Sequence, residues 1–195
     1  MAFIAPITLS GRHVQLEPLD VAHHDALVAA ASDGELWRLW FTSVPTPDKM
    51  AAYIDTALAM RRDQDAMPFV IRDARDGKIV GSTRYYPADA VNRRVEIGHT
   101  WLAASVQRSG INTEAKLLLL THAFEALDCI AVEFRTNFMN HRSREAIARL
   151  GAKQDGILRN HVILPDGGYR DSVVFSIIAS EWPAVRRHLH FKLDR

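Results

Sequence analysis

Apolar and polar residues alternate over residues 13–19 (His-Val-Gln-Leu-Glu-Pro-Leu), the period-two pattern of a strand with one buried face. From 21 to 31 the spacing becomes helical, with alanines and Leu27 on the packed side. Thr46-Pro47-Asp48 marks a second helix start. Thr46 can cap the free amides, Pro47 suits the first helical position and Asp48 opposes the positive dipole end, so a helix is expected to about Arg61. Residues 67–72 and 78–85 are β-rich runs joined through Asp76-Gly77, a hairpin, and 93–102 reads as a further strand. After the small and polar stretch 103–113, residues 114–127 combine strong helix formers with too few polar positions for an exposed face; this predicts a helix buried on most sides. A strand over 131–137 and a helix over 143–150, stopped by Gly151, come next. Strands over 157–164 and 169–178 flank a Pro-Asp-Gly-Gly turn, and Ser180 is expected to cap a short last helix near Trp182-Pro183. The order β α α β β β α β α β β predicts a mixed α/β sheet. No repeat or linker interrupts residues 1–195, so one domain is expected.

Composition narrows the function classes. With 195 residues, 48% of them apolar, the chain can bury a core. The balance of 24 Lys+Arg against 23 Asp+Glu supplies no extended positive field, so no nucleic-acid partner is expected. Nineteen of the basic residues are Arg and five are Lys, which we read as genomic base composition. One cysteine excludes an internal disulfide framework and any multi-thiolate zinc site. The longest clear apolar run, 117–120, falls far short of the roughly 20 residues that span a bilayer, and residues 1–10 lack the pattern of a secretory leader. A cytoplasmic protein without a membrane partner is expected.

Residues 107–113 (Gln-Arg-Ser-Gly-Ile-Asn-Thr) lie between a strand and a long helix, where free backbone amides and the helix dipole converge on a place suited to an anion. Gly110 leaves the turn free of a Cβ, Thr113 can add a hydroxyl and Arg108 a charge. Neither Gly-Lys-Ser/Thr nor Gly-x-Gly-x-x-Gly is present there, so nucleotide hydrolysis and hydride transfer lose support. By itself one Gly in such a loop is more often a plain connection.

Gln107-x-x-Gly110-x-Asn112 resembles the Gln/Arg-x-x-Gly-x-Gly/Ala signature of the GNAT superfamily of acetyl-CoA-dependent N-acyltransferases. The similarity extends to Val95-Glu96-Ile97-Gly98, Thr113-Glu114-Ala115-Lys116, Asn140-x-x-Ser143, Leu150-Gly151-Ala152, Gly156-x-Leu-Arg159 and Asp171-x-x-x-Phe-Ser176. It is strongest with the Rim-like branch of ribosomal-protein alanine N-acetyltransferases. Asn112 departs from the signature, and an altered loop with retained binding is expected because Asn tolerates unusual φ/ψ. The resemblance implies a splayed central sheet flanked by helices, with acetyl-CoA as co-substrate and no metal. It implies amide contacts to the pyrophosphate from the loop, Gln107, Arg108, Ser109, Gly110, Ile111, Asn112 and Thr113. It further implies backbone contacts to the pantetheine from Trp101 and Leu102 and a side-chain contact from Asn140. The partner it implies is an amine acceptor, a protein N-terminus or a small molecule, with a homodimer left open.

An amine must lose its proton to attack a thioester, and an alkylamine near neutral pH is mostly protonated. Glu96, a carboxylate in a mainly apolar strand, is either that base or the partner of Arg93, Arg94 or Arg135. His99 is the second candidate; it falls on the opposite face unless a bulge intervenes, and otherwise it is a packed group. The tyrosines are 53, 85, 86 and 169, none of them just after residues 131–137, so the resemblance makes Ser143 the group near the departing thiol, whereas its position alone suits a helix cap. Trp37, Trp40, Arg84 and Tyr85 are candidates for the acceptor side: the tryptophans line it or belong to the core, and Arg84 reads an acceptor carboxylate or lies solvated. His23 and His24 diverge on a helix and make no metal pair, while Cys129 suits a small buried position. A coenzyme A-binding sensor or interaction module that has lost catalysis is the alternative function.

Overall fold

The computed structural model describes residues 3–164 and 166–195. Its strands are β1 (Leu9–Ser10), β2 (Val14–Pro18), β3 (Met67–Asp73), β4 (Ile79–Asp89), β5 (Arg94–Leu102), β6 (Ala131–Asn137), β7 (Lys153–Ile163) and β8 (Tyr169–Ile178). They form one eight-stranded sheet in the order β1-β2-β3-β4-β5-β6-β8-β7. Every neighbouring pair is antiparallel except β5 and β6, which run parallel. The helices are α1 (His24–Ser32), α2 (Met50–Arg62), α3 (Gly110–Thr121), α4 (His141–Ala148) and α5 (Trp182–Leu193). No described helix is long and apolar enough to cross a membrane.

Side-chain alternation along β4 fixes which helix covers which face. Ser82 and Arg84 point to α2, where Tyr53 Oη donates to Ser82 Oγ at 3.2 Å. Thr83 and Tyr85 point the other way, and Tyr85 Oη donates to the Leu119 carbonyl of α3 at 2.6 Å. Both faces are therefore covered, which explains why β3 and the first part of β4 are almost continuously buried. Helix α5 lies against the end of α3, with Trp182 stacked on Phe124 at 5.3 Å and its indole N–H bonded to Glu125.

Several boundaries differ from expectation. The short strand β1 escaped the pattern because two residues carry no period. Helix α3 starts at Gly110, inside the stretch read as a loop, because Ser109 at its N-cap is extended and its Oγ accepts from the Ile111 amide. Past Thr121 the chain continues as a π-turn over His122–Ala126. Thr46 occupies an N-cap position but makes no side-chain capping bond, and a single 3-10 turn, Pro47–Lys49, precedes α2. Helix α5 runs for 12 residues instead of one short turn, and Glu181, not Ser180, stands at its N-cap. Gly151 ends the fourth helix with φ +100, as its position after the last apolar residue predicts. Within the Pro-Asp-Gly-Gly turn, Pro165 lies outside the described residues.

Candidate active site

Strands β5 and β6 pair only through Arg94–Ala131, Val95–Val132 and Glu96–Glu133. Past Glu96 they part, and the β6-facing edge of β5 is left without a strand partner among the described residues. Glu96 thus stands at the apex of a cleft.

A bulge gives β5 its side-chain directions. Ser82 pairs with Trp101 and Arg84 with Gly98, so His99 and Thr100 together oppose Thr83. His99 takes the left-handed conformation, φ +50, which inserts the extra residue. As a result His99 remains on the Arg84 face beside Tyr86, their ring centroids 5.9 Å apart, while Thr100 turns to Thr83 and α3. Glu96 and His99, three residues apart, share a face that a regular strand would deny them.

Gly98 completes this arrangement. A Cβ there would meet Glu96 Oε1 at 2.8 Å, so the missing side chain is the space into which the Glu96 carboxylate folds. The Glu96 side chain is 13% exposed, and Arg135 Nε approaches it at 3.4 Å. Burial raises its pKa to about 7; Arg135 and, more weakly, Arg170 oppose that shift and Glu133 adds to it. His99 keeps part of its surface in solvent, yet the protein packed around its ring, and then the charges of Arg84 and Arg170, lower its pKa to about 4. Near neutral pH, Glu96 is poised between its two forms and His99 is the weaker base of the two.

The strand-to-helix loop is organised by its own side chains. Gln107 Nε2 donates to the Leu102 carbonyl at 3.0 Å, tying the loop to the end of β5. Ser109 Oγ donates to the Val106 carbonyl at 2.6 Å. Arg108, not Asn112, adopts the unusual backbone conformation, with φ +61. Asn112 and Thr113 are already in the first turn of α3, and capping by Ser109 brings the helix start forward. The amides of Gly110, Ile111, Asn112 and Thr113 open the helix and can hold an anion. Trp101 is buried, its indole N–H directed to Tyr53 Oη at 3.4 Å, and Leu102 is buried beside it.

Asn140 caps α4, its Oδ1 accepting from the Ser143 amide at 3.1 Å. Ser143 itself lies inside the helix, and its hydroxyl has no hydrogen-bond partner among the described residues. Capping is therefore not its role. Cys129 is buried, and its thiol is pushed up to about 11 by burial first and Asp128 second, so it supplies no thiolate.

Of the acceptor candidates, Trp40 is 64% exposed and lines a cavity of about 230 Å³ with Asn137, Phe138, Tyr169 and Arg170. Arg84 is on the Glu96 face but buried, against the solvated alternative. Trp37 packs on the hydrophobic core. Tyr85 is corrected outright: strand alternation directs it to α3, where it is 1% exposed and bonded to Leu119. Sequence reasoning also missed Arg170 and Gly98, and it missed that the two charges inside the apolar helix, Glu114 and Lys116, point inward. Glu114 accepts the amides of Arg12, His13 and Val14 at 2.9, 2.5 and 2.8 Å, anchoring the β1–β2 turn to the first turn of α3. Lys116 Nζ donates to Thr100 Oγ1 at 2.6 Å beneath the bulge, and burial lowers its pKa to about 7. Two charged residues so close together in an apolar helix were the available signal. Among the described residues no group of three His, Cys, Asp or Glu is placed to hold a metal ion.

A parallel pair splaying at a carboxylate, followed by a capped helix start, defines an acyltransferase-type cleft. Residues 13–153 match the acetyltransferase (GNAT) domain family, and the chain belongs to that family. It is 34% identical over 107 residues to the "Putative ribosomal N-acetyltransferase YdaF" of Bacillus subtilis (strain 168); this spans 55% of the chain and just over half, 57%, of that relative. A GCN5-related N-acetyltransferase from Brucella melitensis superposes with a TM-score of 0.88 at 31% identity, over 97% of this chain and 86% of the other. Mycobacterium smegmatis RimJ, solved in complex with CoA-disulfide, shares the fold: TM-score 0.81, 24% identity, 96% of this chain and 95% of the other.

Proposed function

We propose that residues 1–195 form one cytoplasmic N-acetyltransferase domain that moves an acetyl group from acetyl-CoA to a primary amine by direct attack in a ternary complex. One observation carries this reading: a carboxylate with a pKa of about 7 at the apex of the β5–β6 cleft. The α3 first-turn amides, with Arg108 and Thr113, suit the pyrophosphate, and the unpaired edge of β5 at Trp101 and Leu102 suits the pantetheine arm. Asn140 keeps its side-chain N–H₂ available for the same arm, because only its Oδ1 is used in capping. RimJ's complex with CoA-disulfide supports the donor assignment by analogy of fold.

Chemistry follows from placement. The amine nitrogen bonds to the thioester carbonyl carbon, its proton passes to Glu96 directly or through water, and the carbon–sulfur bond breaks. Ser143 Oγ, free of capping duty, donates a hydrogen bond or proton to the departing thiolate and is reprotonated from solvent. The acceptor is a protein N-terminus or a small amine, and neither nucleic acid nor membrane enters the reaction.

Calorimetry with acetyl-CoA, followed by thiol release against peptides, amino acids, polyamines and aminoglycosides, tests the reading. Turnover with at least one amine is expected, and Glu96→Gln lowers it by about 10²- to 10⁴-fold with acetyl-CoA affinity retained. Acetyl-CoA binding without turnover on any acceptor supports the sensor module instead.

A further inference from the structure

The arginines of this chain divide into two groups by what their forked Nε/Nη2 edge meets. Arg72 presents that edge to Glu17, at 2.9 and 2.7 Å. Arg75 presents it to Asp73, at 3.0 and 2.7 Å. Arg84, 1% exposed, holds the same two atoms, Nε and Nη2, buried and without any hydrogen-bond partner. Its Nη1 touches only Met60 Sδ at 3.5 Å, and its guanidinium lies 5.0 Å from the Tyr53 ring centroid. Arg170, half-buried, likewise has a buried Nε without a partner.

Neighbouring carboxylates do not remedy this. Glu133 is taken by Arg94 and Arg135, Glu96 by Arg135, and Asp171 by Arg159. Among the described residues, Arg84 and Arg170 have no salt-bridge partner. Buried charged donors are costly unless something completes them, and a guanidinium edge is shaped for a planar carboxylate. Arg84 pairs across the ladder with Gly98, over which the Glu96 carboxylate lies, so the unpartnered edge and the base share one face. Arg170 lines the adjacent cavity, walled by Trp40 and Tyr169.

We propose that the acceptor is an amine that itself bears a carboxylate, held by Arg170 at the wall of this cavity while the amine faces Glu96, with the buried Arg84 guanidinium adding positive charge behind the site. This rests on the amine acetylation proposed above. Partial burial of Arg170 strengthens the pairing. Two sources offer this chemistry: an acidic first residue of a polypeptide, and a free amino dicarboxylic acid. The reaction is unchanged: the amine's proton goes to Glu96, the new bond is the amide, and the thiol of coenzyme A leaves.

The test is kcat/KM at saturating acetyl-CoA for Asp-Ala-Ala-amide against Asn-Ala-Ala-amide, and for free aspartate against asparagine amide. A preference for the acid on the order of 10- to 100-fold is expected in one pair, and which pair shows it identifies the source. Arg170→Met brings that ratio to within about threefold of unity, and Arg84→Met lowers it. A ratio is independent of the fraction of folded enzyme, and if Arg84→Met does not fold, Arg170→Met carries the test. Equal turnover of acid and amide by the unaltered protein overturns the carboxylate site and leaves amine acetylation standing. A ratio that survives in both variants also overturns it. Absence of thiol release with every acceptor contradicts both proposals.

Discussion

The two sides of the cleft are built from different material. On the side proposed for the donor, one continuous stretch from Trp101 to Thr113 offers nearly everything, and most of it is main chain: an open strand edge, a tied loop and a helix start. On the side proposed for the acceptor, Glu96, Arg84, Arg135 and Arg170 come from β5, β4, β6 and β8, and what they offer is side chains. Main-chain sites are indifferent to most substitutions provided the backbone path holds. Side-chain sites depend on each residue and on the face to which it points. A domain made this way can keep its donor while its acceptor changes.

The contrast can be broken at defined points. The largest effect on the donor side is expected from Glu114→Ala, which strips three backbone amides of their acceptor and releases the β1–β2 turn from α3. Urea unfolding is expected to show a loss of about 3 kcal/mol, with weaker acetyl-CoA binding in calorimetry. Next is the lysine under the bulge. The folded protein releases the Lys116 proton at about 7, against 10.5 for the unfolded chain, so the unfolded state binds more protons between those values. Stability therefore rises with pH across that window, by up to about 1.4 kcal/mol per unit, and Lys116→Met is expected to flatten that part of the curve.

On the acceptor side, Gly98→Ala puts a methyl group where Glu96 Oε1 now lies. Because the obstructed atom is the end of a flexible side chain, the melting temperature should barely change, while kcat falls about 10-fold as the base is displaced. The smallest effects separate Asn140 from Ser143. Asn140→Ala is expected to cost about 1 kcal/mol of stability as a lost cap, whereas Ser143→Ala should cost less than about 0.5 kcal/mol and lower kcat per folded molecule. Equal stability losses at both positions would restore the capping role to Ser143.

The same division governs how much was legible in the sequence. Strand β6 and strand β8 coincide with their predicted limits, and the resemblance around Gln107 and Gly110 falls on the helix start proposed for the donor, because a contiguous main-chain site leaves a contiguous signature. The acceptor side left none. Arg84 and Tyr85 are neighbours in sequence and were grouped together, yet alternation sends one to the cleft face and the other into the core. Arg170 lies in the last hairpin and reaches Glu96 only through the sheet order β6-β8-β7, which no local pattern encodes. A bulge is the way for Glu96 and His99 to share a face, but its consequence for His99, a pKa lowered by burial first and then by Arg84 and Arg170, depends on tertiary packing and charges. Ser143 and Asn140 both had the chemistry of a cap, and only the backbone path from β6 decides for Asn140.

The central claim is that Glu96 accepts the amine's proton. The direct measurement is kcat against pH from 5 to 9, with both substrates saturating, for the unaltered protein and for Glu96→Gln. Ionised Glu96 is the active form, so kcat should rise about tenfold per pH unit below an inflection near 7 and level off above it, and in Glu96→Gln that inflection should vanish together with most of the rate. The same inflection persisting in Glu96→Gln, or an undiminished rate, would contradict the account.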